Sequence, residues 1–289
     1  MTMFKKVFKY DFAYVKRFWW IIAASVLGLS FLGSLVYRFV ATFQVERANS
    51  VEMFLFIMGI VFLFACFIAI PVSFFVPQVL CCVRYYKNFF TDEGYLTFTL
   101  PVSRKTLLLS KMVNTVLWSV IHGLLLLVSG AIVITIAPVP NRGQLLDLRI
   151  WQGIGRILED VWEYLGAWSL VYLLEGILMV LAATWFGCAL IYMCMTIGAV
   201  VAKKHKVLAA FGVYYGVNMG FSFVMQIAMV LGLVFVVLPL GALLAEATYG
   251  MACTLVALLL LMILMIEVAV ACLFHFLTLG KLEQKLNLS

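Results

Sequence analysis

Six long apolar runs, near residues 19–43, 53–83, 105–137, 166–202, 207–238 and 251–279, constrain this chain more than anything else in it. A helix needs about 20 residues to cross the hydrocarbon core of a bilayer, and every run meets that length. Backbone polar groups find no water in that layer, so each run must satisfy them internally as a helix. A β-barrel would instead show short alternating segments. The expectation is an all-α polytopic membrane protein of one domain, residues 1–289, with no internal repeat and no soluble domain. Several runs exceed 25 residues and must tilt, kink or protrude. Pro71 and Pro77, each lacking a backbone donor, predict a kink in the second run.

The sparse charges orient these spans. Only 11% of residues are charged, against about a quarter in soluble domains. Lys and Arg cluster at Lys5 to Arg17, Arg84 to Lys111, Lys203 to Lys206 and Lys281 to Lys285. The positive-inside rule assigns these clusters to the cytoplasm. The remaining basic residues, Arg38, Arg47, Arg142, Arg149 and Arg156, fall outside. An even span count then puts both termini in the cytoplasm, with the chain in the cell membrane. The net charge of +7 is a topology signal on this reading and implies no nucleic acid. The cysteines lie within apolar runs or at their edges, so no disulfide framework is expected. The first run is too long for the core of a cleavable signal.

Two flanking segments are amphipathic. Phe4, Val7, Phe8, Phe12, Val15 and Phe18 recur at helical spacing, with Lys5, Lys6, Lys9, Lys16 and Arg17 largely on the other side. This predicts an interfacial helix over residues 1–18 on the inner leaflet; the alternative is the start of the first span. Between spans three and four, "APVPNRG" signals a turn. Ile150, Trp151, Ile154, Ile157, Leu158, Val161, Trp162 and Leu165 then follow a 3.6-residue period, with Arg156, Glu159, Asp160 and Glu163 on much of the remaining surface. That pattern predicts a helix resting on the outer leaflet or capping the bundle. The short apolar loop 239–250 reads as a small re-entrant element.

Catalytic motifs are missing from the sequence. There is no His-Glu-x-x-His pattern and no Gly-x-x-x-x-Gly-Lys-Ser/Thr loop, and the three histidines fall on different segments. The chain is therefore not expected to be an enzyme or to bind a nucleotide or metal; any nucleotide-driven work must use another polypeptide.

One stretch interrupts the hydrocarbon, "YKNFFTDEGYLTFTLPVSRKTLLLSK", from Tyr86 to Lys111. Arg84 and Lys87 stand at headgroup level, and "TDEG" ends in a glycine suited to a helix terminus or tight turn. "YLTFTLP" is β-branched and aromatic and predicts extended backbone, with Pro101 turning Leu100 away from helix. Ser103 is placed to cap the third span. Tyr95, Leu96, Phe98 and Leu100 are too apolar for a purely solvated loop, and with Asp92 and Glu93 they suggest a surface for a partner.

This stretch resembles the segment between spans two and three in the ABC type-2 permease family. The family's Leu-Pro-x-Ser-Arg element, Leu-rich helix and Ser-Lys pair are matched by Leu100, Pro101, Ser103, Arg104, Leu107 to Leu109, Ser110 and Lys111. The six-span layout and the amphipathic start match as well. The resemblance implies a coupling helix in segment 84–104 that enters a cleft of a separate cytosolic ATPase. It places Tyr86, Asn88, Phe89, Thr91, Asp92, Glu93 and Tyr95 at that contact. It further implies two permeases, identical or sister chains, working with two ATPase copies that hold ATP and magnesium. The implied function is ATP-driven export of an amphipathic substrate such as a peptide, an antibiotic or a lipid-like molecule.

Polar groups within the spans add a second set of candidates. A carboxylate at the bilayer centre costs roughly 2.5–3.5 kcal/mol on insertion scales, so Glu175 and Glu267 must face protein or water. Glu175 shares a stripe with Trp168, Tyr172 and Met179, and Glu267 shares one with Ala271, His275 and Thr278. Two more stripes are Asn114, Trp118, His122 and Ser129 on span three, and Tyr215, Asn218, Ser222 and Gln226 on span five. They either bond helices together or line a path between protomers, and the family resemblance favours span five for the path. The rival functions are a proton-coupled secondary transporter or membrane enzyme using Glu175, Glu267 and His275, and a sensor or immunity subunit that docks an ATPase without transport.

Overall fold

The computed structural model describes residues 3–47, 49–99, 101–137, 146, 148–202, 204–232, 234–235, 239–241, 243 and 247–284. The chain is all-helical, with no strand among the described residues. In order the helices are α1 (Met3–Ala41), α2 (Ser50–Val72), α3 (Phe75–Phe90), α4 (Asp92–Thr99), α5 (Arg104–Ile136), α6 (Arg149–Leu165), α7 (Trp168–Val201), α8 (Lys206–Gly232) and α9 (Tyr249–Gln284). Six of these, α1, α2, α5, α7, α8 and α9, are long and apolar enough to cross a membrane. That is the make-up of a multi-pass membrane protein. The turn "APVPNRG", apart from Ala137, and residues 242 and 244–246 of the loop 239–250 lie outside the described residues, as does Leu100.

The chain divides into two compact units, Met1–Cys81 with Val113–Tyr164, and Cys82–Met112 with Leu165–Ser289. The first is built on α1, α2 and most of α5. Phe12 stacks on Trp118 at 4.7 Å between ring centroids, and Val15, Cys81 and Trp118 form a buried cluster with them. The segment 1–18 is not a separate interfacial helix: from Met3 it continues into the first span without a break. No glycine or proline falls there to end the helix, and one face is committed to packing, with Asp11 and Val15 buried.

Pro71 and Pro77 do more than bend the second run. The helix stops at Val72 and restarts at Phe75. Pro77 has no N–H to offer the Ser73 carbonyl, which takes Val76 N–H instead at 3.0 Å. The Ser73 hydroxyl donates to the Ile70 carbonyl at 2.6 Å, so its oxygen accepts from Nε2 of the fully buried His122 at 3.1 Å.

The polar stripe on span three is thereby absorbed into packing. Asn114, Trp118, His122 and Ser129 are all buried. Ser129 and Ser30 share a hydroxyl–hydroxyl hydrogen bond, and the Asn114 amide points to Cys81 Sγ at 3.8 Å. Arg38 donates to the Ile136 carbonyl at 3.0 Å. These are bonds between helices. Helix α6 forms where its periodicity predicts, with none of its side chains buried and Trp151 Nε1 donating to Thr135 Oγ1 at 2.8 Å.

In the second unit α7 packs against both α8 and α9. Gly198 permits the approach to α8: a Cβ there would run into the Ala210 backbone nitrogen. Farther along α7, the Tyr172 hydroxyl donates to the Cys253 carbonyl of α9 at 3.0 Å.

Candidate docking site

The interrupted stretch folds as a helical corner of α3, α4 and α5. Residues 95–99, expected extended, are instead the body of α4. Asp92 and Glu93 occupy its first turn, where negative charge suits the helix dipole. Gly94 does not end a helix; it lies inside this one, its N–H bonded to the Thr91 carbonyl at 2.7 Å. Thr97 and Thr99 turn their hydroxyls back onto the carbonyls of Glu93 and Leu96, at 3.0 and 2.9 Å. This accommodates β-branched residues that would otherwise favour a strand. Phe98 adds the tertiary contribution, meeting Phe89 edge-on at 5.5 Å. The described helix ends at Thr99, just before Leu100 and its following proline. Ser103 then caps α5 as expected, its hydroxyl oxygen accepting from Thr106 N–H at 3.3 Å.

Behind α4 the corner is packed solid. Tyr85 stacks on Tyr192 of α7 at 4.1 Å with an interplanar angle of 8°. The Thr196 hydroxyl spends its proton on the Tyr192 carbonyl, so Tyr85 donates in the 2.7 Å bond between their oxygens. Asn88 accepts from Lys111 Nζ at 3.0 Å and donates to the Arg84 carbonyl at 3.1 Å. The buried Lys111 ammonium also lies 5.8 Å from the Phe89 ring centroid. Arg84 and Glu93 approach to 3.8 Å, a partly exposed pair worth at most about 1 kcal/mol.

Removing one atom tests this packing. Tyr85→Phe keeps the stack and loses one net hydrogen bond, so thermal unfolding of the purified protein should show a loss of about 1 kcal/mol. Burial holds the Tyr85 phenol above its ordinary pKa. Its contribution is therefore complete below the unfolded value of about 10 and is lost as pH rises beyond it. The Phe variant should lack that alkaline loss.

The expected site residues divide by exposure. Asp92, Glu93 and Tyr95 are exposed on α4. Tyr86 and Asn88 are half-buried, and the Thr91 hydroxyl is turned back on the Lys87 carbonyl at 2.6 Å. Phe89 is fully buried and holds the corner together, its ring against Tyr85 and Phe98. Leu96, 67% exposed beside an equally exposed Tyr95, takes its place on the surface. Among the residues that carry the resemblance, Pro101 is exposed, Ser103 caps α5, and Ser110 and Lys111 are buried.

The polar groups proposed for a path do not gather into one site. Tyr215, Ser222 and Gln226 are exposed on α8, which buries none of its residues, and Asn218 donates to the Tyr214 carbonyl at 3.0 Å. Glu175 on α7 and Glu267 on α9 are half-buried. His275 Nδ1 lies 2.9 Å from Met112 Sδ, with its ring near Trp185. Comparison with protein-family models, curated proteins and solved structures finds no match.

Proposed function

We propose that this chain is the membrane-spanning permease subunit of an ATP-driven ABC exporter, with α4 as its coupling helix. The observation that carries the reading is the two-sided build of the corner. Tyr95 and Leu96 are exposed beside the two carboxylates of the first turn, whereas Tyr85, Phe89, Leu107 and Leu108 are buried behind them. A short helix held rigid from behind, with apolar side chains outward, suits insertion into a cleft on another protein. Asp92 and Glu93 are available to basic groups at its rim.

On this reading two permeases and two cytosolic ATPase copies form the transporter, and ATP with magnesium binds on the ATPase. Movement of the paired coupling helices switches the spans between inward and outward access, carrying an amphipathic substrate across the cell membrane. α6 lies along the outer leaflet, its exposed Ile157, Leu158 and Trp162 in the lipid. The test is to purify the tagged chain from its own membranes in mild detergent. A soluble ATPase should arrive in stoichiometric amount, and a functional chain that arrives alone contradicts the proposal.

A further inference from the structure

The last turn of α9 ends inside the docking corner. Leu282 is fully buried and Leu279 nearly so, although α9 finishes only two residues later at Gln284. The final carbonyls of a helix have no intrahelical donor. Here the Leu282 carbonyl accepts a hydrogen bond from Arg104 Nη1. A guanidinium suits that position because it is permanently charged, facing the negative end of the helix dipole, and presents its donors in a rigid plane. The same group lies over the Phe98 ring of α4, 5.3 Å from its centroid. One side chain thus starts α5, covers α4 and caps α9.

We propose that Arg104 is a positioning residue that joins the C-terminal end of α9 to the docking helix as one mechanical body. Its purpose rests on the docking reading above; the joint itself does not. α9 runs 36 residues from this corner back to Tyr249, about 54 Å of continuous helix. Near its other end the Cys253 carbonyl is bonded to Tyr172 of α7. A displacement of α4 reaches α9 through the guanidinium, and the helix carries it to α7 at the far end. Lysine at 104 would cap the carbonyl with a point charge and lose the planar contact with Phe98.

Hydrogen–deuterium exchange on the purified chain in lipid nanodiscs, without any ATPase, tests the joint. In Arg104→Ala, amides in both 278–284 and 92–99 should exchange about tenfold faster. Arg104→Lys should restore only part of the protection. Phe98→Leu, a change on α4, should also speed exchange at 278–284. Unchanged exchange there in Arg104→Ala overturns the proposal. So does acceleration in Arg104→Ala with none in Phe98→Leu, which reduces Arg104 to a local cap. A wild-type chain that brings no ATPase would remove the docking purpose, while exchange still decides the joint.

Discussion

Gly198→Val is expected to leave little assembled protein in the membrane, and Gly198→Ala to lower the unfolding temperature by several degrees. The atoms that a new Cβ would meet, Ala210 N and Cα, belong to backbone. No rotamer change relieves that contact, so α7 and α8 must separate. Overpacking of this kind costs roughly 1–3 kcal/mol, occasionally more. Small residues let helices in lipid approach closely where no hydrophobic force drives them together. Size-exclusion profiles and thermal aggregation of the detergent-solubilised variants measure the effect. A monodisperse Gly198→Val with native stability would show that the α7–α8 approach is not needed.

The second large effect concerns binding rather than folding. Tyr95→Ser combined with Leu96→Ser should weaken ATPase binding by about 100-fold, since two apolar anchors of about 1.4 kcal/mol each are removed. Both side chains are 67% exposed, so the chain itself should fold and melt as before. Titration of the ATPase against solubilised chain separates this result from a folding defect, in which binding and stability fall together.

The membrane-spanning helices were legible because hydropathy over 20 or more residues outweighs local detail. The helical corner of α3, α4 and α5 was legible as an interruption of the apolar runs and not in form. "YLTFTLP" carries strand propensity, and the hydroxyl bonds of Thr97 and Thr99 together with the contacts of Phe98 on Phe89 and beneath Arg104 hold residues 95–99 helical. The burial of Phe89 was readable: Cys81, Tyr85 and Phe89 recur every four residues and are all buried, a face legible from spacing alone. Leu96 stood in the stretch marked as too apolar for solvent, but an extended reading gave no reason to place it beside Tyr95 on one outer face. The continuity of α1 was also readable, from the absence of any breaker between Met3 and Leu27. The role of Arg104 at the end of α9 was not, because its partner is a carbonyl 178 residues away.

The most direct measurement of the central claim is co-purification of the ATPase with wild-type chain and with Asp92→Arg combined with Glu93→Gln. The glutamine removes charge without setting a second cation against Arg84, which lies 3.8 Å from Glu93. A stoichiometric ATPase should accompany the wild type and be lost from the variant, at equal yield and stability of the chain. An ATPase retained in full by the variant would contradict docking through the first turn of α4.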